Sequence, residues 1–206
     1  MPPVDRLSDD CPVVYCADGH TIAFMAHFMA KAMMARHAPL VVLVGVHSQG
    51  DTRAEDYVLG VDPRRFAAHE RFFTEEVPQL VREELGLVPS RSDCGVLGYS
   101  NGAALAIRLG LRHREKYSVA IAFSPAATPE KITSSEFQGE DVSRYYLAVG
   151  TRERLFKKNT RRIWKCLARH GIEHTYIERE AGHNLEFWKE ELPIALSWAF
   201  GKTRDG

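Results

Sequence analysis

A chain of 206 residues can bury one full hydrophobic core and falls short of two, so a single domain over residues 1–206 is expected. Its 27 Lys+Arg balance 27 Asp+Glu and no run of five or more like charges occurs, a pattern that leaves no electrostatic footprint for nucleic acid or an anionic membrane. Cys11, Cys16, Cys94 and Cys166 have no Cys-x-x-Cys spacing and lie in or beside apolar runs, which fits buried reduced thiols better than a disulfide framework.

In chain order, Met1 to Asp10 lacks the basic start and apolar run of a signal peptide. Pro12 to Ala17 reads as a short buried strand closing on Asp18-Gly19-His20, with Thr21 as the cap of a helix rich in Met, Ala and Phe. The apolar stretch Thr21 to Ala35 contains His27 and Lys31 and is too short to cross a bilayer, so a soluble cytoplasmic protein is predicted. Leu40 to Val46 is apolar throughout, as in a strand covered on both faces, and runs into a polar loop from His47 to Asp56. From Pro63 to Leu85 apolar residues recur at helical spacing (Phe66, Phe73, Val77, Val81), with a kink or restart expected at Pro78. The run Cys94 to Leu109 follows, with its helix continuing to about Lys116, then a buried strand from Tyr117 to Phe123 ending in Ser124-Pro125. Ala126 to Val142, without periodicity, is expected to form an irregular excursion over the site. Arg144 to Val149 is a strand closing on Gly150-Thr151-Arg152-Glu153. A helix with Ile163, Trp164 and Leu167 stops at Gly171. His174 to Ile177 is the last strand, followed by Ala181-Gly182-His183-Asn184 and a final helix with Leu185, Trp188, Leu192, Leu196 and Trp198. Six strands alternating with helices imply a mostly parallel α/β sheet with helices on both faces and chemistry beyond the carboxyl ends of the strands.

At one of those ends stands Gly98-Tyr99-Ser100-Asn101-Gly102, a strand turning sharply into a helix at a serine with glycine two positions to either side. Such an elbow lifts the hydroxyl clear of the sheet. A serine needs a base to take its proton and a third group to fix the base, in the chain order Ser, acid, His. His183, in a Gly-His-Asn turn ahead of the final helix, is the candidate base. Glu153, directly after the penultimate strand, is the candidate acid, ahead of Asp141 and Glu180. A developing oxyanion needs two fixed N–H donors. The Asn101 amide supplies one, and the Gly19-His20 turn is the candidate for the second, although His20 could equally line the pocket. Gly19, Arg53, Tyr99 and Ser124 flank the strand ends and are candidates for substrate contacts, Arg53 having an equal claim to ordering its loop through Glu55 or Asp56. No cofactor and no metal is required.

With these residues placed, the chain resembles the esterase branch of the α/β-hydrolase superfamily that holds enterochelin esterases, feruloyl esterases and S-formylglutathione hydrolase-like enzymes. The likeness rests on Asp18-Gly19, the strand to Gly45 followed by Arg53 to Tyr57, the Phe72 to Pro78 helix, Gly98 to Gly102, Val149 to Glu153 and Gly182-His183. It implies an α/β-hydrolase fold without a large lid, a small-molecule ester as substrate, and Ser100, Glu153 and His183 as nucleophile, acid and base. Two departures stand out. The family's antiparallel hairpin before the first strand is reduced or missing here, which could leave an edge to be covered by a second subunit as a homodimer. Ala103 replaces a glycine often found after Gly102. The alternatives to ester hydrolysis are acyl transfer from the same acyl-enzyme and a degenerate hydrolase serving as a binding module.

Overall fold

The computed structural model describes residues 11–48, 50–127 and 141–201. Six strands, β1 (Val13–Ala17), β2 (Val42–Val46), β3 (Cys94–Tyr99), β4 (Val119–Phe123), β5 (Arg144–Gly150) and β6 (His174–Arg179), form one sheet in the order β2-β1-β3-β4-β5-β6. Every pairing is parallel, with Cys16 opposite Leu97, Leu97 opposite Ile121 and Leu147 opposite Tyr176. This is the α/β-hydrolase architecture expected. Among the described residues no strand precedes β1, and residues 1–10, where the hairpin would start, lie outside them. The excursion read over 126–142 falls mostly outside them too.

Side chains of each central strand alternate between two cores, which fixes the register. Tyr15, Val96 and Ala120 point to a face covered by α2 (Arg53–Tyr57), α3 (Pro63–Arg71), α4 (Val77–Leu85), α5 (Asn101–Arg112) and α6 (Arg154–Arg169). Cys16, Leu97 and Ile121 point to the opposite face, covered by α1 (Gly19–Met34) and α7 (Leu185–Phe200) through Met25, Met29, Leu192 and Leu196. The four cysteines are free thiols; Cys11, Cys16 and Cys94 are buried and Cys166 is half-buried, as expected. No helix among the described residues is long and apolar enough to cross a membrane.

The helix expected over Pro63 to Leu85 is continuous through Pro78, and the irregularity sits one turn earlier, as a wider π turn at Phe72–Glu76. The cause is chemical: a proline has no N–H for the carbonyl four residues back and its ring crowds that carbonyl. Here the carbonyl is that of Thr74, and Lys116 Nζ takes it as acceptor at 3.0 Å. The strand read as covered on both faces, β2, is instead the half-buried edge of the sheet, and three expectations about helices also differ. The first helix starts at Gly19 rather than Thr21. The polar loop after β2 contains the helix α2, and α5 ends at Arg112 rather than near Lys116.

Candidate active site

Three non-glycine residues in the left-handed region stand at the carboxyl ends of three adjacent strands: Asp18 after β1 (φ 61°), Ser100 after β3 (φ 54°) and Ser124 after β4 (φ 52°). Each such conformation costs about 1–3 kcal/mol and persists only where its surroundings impose it. At Ser100 the imposition comes from the turn. A Cβ on Gly98 would overlap the Gly102 carbonyl and lie 2.7 Å from Ala103 N, and one on Gly102 would meet Ala17 Cβ and Asp18 Oδ2 at 2.9 Å, so both flanking glycines are sterically required. Ser100 N–H donates to the Phe123 carbonyl at 2.9 Å, and the Ser100 carbonyl accepts from Ala126 N at 3.0 Å, locking the turn to β4 and the chain beyond it.

The structure brings the candidate acid and base together. Glu153, nearly fully buried at the start of α6, faces His183, whose Nδ1 is 2.5 Å from Oε1. The other carboxylate oxygen, Oε2, accepts from Gly150 N at 2.5 Å and from Ser124 Oγ at 2.8 Å. Ser124 Oγ in turn accepts from Trp188 Nε1 at 3.2 Å. The imidazole is clamped by rings: Phe156 stacks on it with centroids 4.0 Å apart and planes at 19°, and the Trp188 indole meets it edge-on at 4.9 Å. Its Nε2 is the nitrogen left for chemistry, and the His183 side chain is 32% exposed, open to solvent where Glu153, at 1%, is not. Ser100 Oγ makes no hydrogen bond to His183 among the described residues. The Trp188 indole, edge-on to His183, also packs on the ring of Tyr99, the residue before Ser100, at 5.2 Å. Hydrogen bonds of this kind are commonly long before substrate binds.

The helices α1 and α5 begin side by side, because β1 and β3 are neighbours, and the first N–H groups of each have no intrahelical acceptor. His20 and Asn101 thus present backbone donors at one rim. One cation ties the two starts together. Arg53 Nε and Nη2 lie 2.5 and 2.6 Å from the Asp18 carboxylate oxygens, and Nη2 also donates to the Tyr99 carbonyl at 3.1 Å. Asp18 N–H donates to Tyr57 Oη at 3.0 Å, and burial pushes the Tyr57 phenol up to about 12, so it stays protonated.

These placements correct part of the sequence reading. Arg53 pairs with Asp18, while Glu55 and Asp56 pair with Arg65. Two of its nitrogens are therefore committed to the scaffold rather than to substrate. Ser124 is wholly buried behind Glu153 and cannot line a substrate site. The Tyr99 ring is buried between Phe123 and Trp188 with its hydroxyl on Met25 Sδ, and Gly19 is packed against Gly45, where an added Cβ would lie 2.7 Å from the Gly45 carbonyl carbon. Of the runner-up acids, the Asp141 carboxylate approaches Arg91, at 3.9 Å. Sequence reasoning missed Phe156 and the polar role of Trp188. The signal available was position only: both lie within five residues of a candidate triad member, on the helices that follow them.

The model of the family described as "Putative esterase" matches residues 1–199. The chain belongs to this family. That membership makes it a carboxylic ester hydrolase by class. No curated protein compared with it matches its sequence. Among solved structures it is similar to a ferulic acid esterase (16% identity, TM-score 0.72, covering 92% of this chain and 84% of that one). It is also similar to the enterobactin esterase FES of Shigella flexneri (16%, 0.75, 92% and 53%) and to an S-formylglutathione hydrolase (FrmB) of Staphylococcus aureus (15%, 0.67, 95% and 83%). At these identities the likeness establishes the fold. The chain spans about half the length of the enterobactin esterase it matches.

Proposed function

We propose that this member of the family cleaves a small-molecule carboxylic ester through an acyl-enzyme on Ser100. The observation that carries the reading is the Glu153–His183 hydrogen bond at 2.5 Å, which fixes the Nδ1 proton toward a buried carboxylate and leaves Nε2 unprotonated as the base. Ser100 Oγ attacks the ester carbonyl carbon while its proton passes to Nε2. The oxyanion is held by the N–H of Asn101 and a donor of the Gly19-His20 turn. Collapse breaks the bond to the leaving oxygen, which departs as the alcohol with the proton from Nε2. Water, deprotonated by the same nitrogen, then attacks the acyl carbon and releases the acid and Ser100.

A fluorophosphonate probe tests this directly. Labelling of wild type that is lost in Ser100→Ala and sharply reduced in His183→Ala is the expected result. Equal labelling of wild type and Ser100→Ala, or of neither, refutes the assignment.

A further inference from the structure

Helix α6 carries Arg154, Lys157, Lys158, Arg161, Arg162, Lys165 and Arg169 and no acidic residue. No five of these are adjacent in sequence, so the linear charge pattern conceals them. Wound at 3.6 residues per turn, they fall on one face, opposite the buried Ile163 and Leu167. The first six line a single shallow groove of about 280 Å³. Arg161 pairs with Glu178 at 2.7 Å and Lys157 Nζ donates to the Thr151 carbonyl at 3.3 Å. Arg154, Lys158, Arg162 and Lys165 make no ion pair or hydrogen bond among the described residues. The chain is neutral overall, so the other 190 residues hold 20 Lys+Arg against 27 Asp+Glu, a formal −7. Seven of the 27 Lys+Arg thus stand on one helix that carries no acid, and four of the six that line the groove are unpaired among the described residues.

We propose that the exposed face of α6 docks an acidic segment of a partner protein. The stripe from Arg154 to Lys165 is about 17 Å long, and carboxylates at i, i+3 and i+4 of a facing helix recur at its own spacing. Nucleic acid and bilayers fit it less well: both extend well past a stripe of about 17 Å, and charges act only within about 8 Å at physiological salt, whereas a short acidic helix can lie wholly along it. Because α6 starts directly after Glu153 and its Phe156 stacks on His183, a partner seated there lies beside the catalytic rim.

Fluorescence anisotropy of the full chain with three labelled probes tests the proposal: an 18-residue helical peptide with Glu at i, i+3 and i+4, a 30-bp DNA duplex, and phosphatidylglycerol vesicles. The peptide is expected to bind at about 50 mM salt and to weaken at least tenfold in Arg154→Glu/Lys158→Glu/Arg162→Glu/Lys165→Glu. The matching four-fold Gln variant weakens it less but in the same direction, and covers the case in which charge reversal prevents folding. Hydrolysis of a small neutral ester should be unchanged in both variants. Peptide binding that is absent in wild type or undiminished in the variants overturns the proposal, as does tighter capture of duplex or vesicles than of peptide. Joint loss of binding and ester turnover, which would mark a folding defect, also counts against it.

Discussion

Replacing Glu153 by Gln exchanges one oxygen for an NH2 and otherwise preserves shape, and the surroundings dictate which way the amide points. At the Oε2 position the side chain accepts from Gly150 N at 2.5 Å and from Ser124 Oγ at 2.8 Å. The Gly150 N–H is fixed by the backbone and cannot face an NH2 without a donor–donor clash, so the amide oxygen takes that position and the NH2 faces His183. His183 Nδ1 must then accept, which moves the ring proton to Nε2 and abolishes the base. A wrong-tautomer change of this kind lowers kcat by roughly 10⁴, equivalent to about 5 kcal/mol of transition-state stabilisation. Stability should hold, since every buried donor keeps an acceptor. Hydrolysis of p-nitrophenyl acetate, read beside a thermal melt, measures both quantities. A kcat within tenfold of wild type at unchanged Tm would show that the carboxylate does not set the tautomer and would refute the reasoning.

Three further outcomes follow from the scaffold. Arg53→Ala strands the Asp18 carboxylate, 3% exposed, at a cost of about 3–5 kcal/mol, a Tm drop on the order of 10 °C. Adding Asp18→Asn should recover most of it, and a single variant that melts like wild type contradicts the clamp. Gly98→Ala meets main chain rather than a yielding side chain, so it exceeds the roughly 1–3 kcal/mol of ordinary overpacking and should not accumulate as soluble folded protein; recovery of Gly98→Ala with wild-type Tm would disprove the steric account. Burial lowers the His69 pKa, and its Nε2 has no hydrogen-bond partner among the described residues. The unfolded chain therefore binds this proton first, and the stability present above pH 6.5 is lost as pH falls below it, by up to about 1.4 kcal/mol per pH unit. Urea unfolding at several pH values should show a shallower acid-side slope in His69→Phe, and identical slopes would exclude this contribution.

What the sequence made legible was set by local chemistry. The apolar runs within 12–17, 40–46, 94–99, 117–123 and 144–149 read as strands, although the second proves to be a half-buried edge strand because only the sheet order reveals which strand is outermost, and Gly98 and Gly102 announced the elbow because a tight turn leaves no room for a Cβ. That Glu153 and His183 would meet was readable from their places after the last two strands. The Arg53–Asp18 pair was not, since 35 residues separate partners that only the β2-β1-β3 order brings together. Ser124 looked like a pocket residue for the same reason that Glu153 looked catalytic: both end a strand. Both are buried, and only the partner separates them: Glu153 faces the His183 imidazole, while Ser124 is held between Glu153 and Trp188 from the final helix. The basic face of α6 escaped because Asn159, Thr160, Ile163 and Trp164 interrupt it along the chain but not along the helix.

The salt link at the base of the rim also bears on how this scaffold could be retooled. With Arg53 bridging Asp18 and the Tyr99 carbonyl, the segments that start α1 and α5 are tied together by a side chain from the stretch after β2. Exchanging mouth loops to seek new selectivity should therefore spare the stretch after β2, since that stretch carries the one guanidinium that holds the anchor.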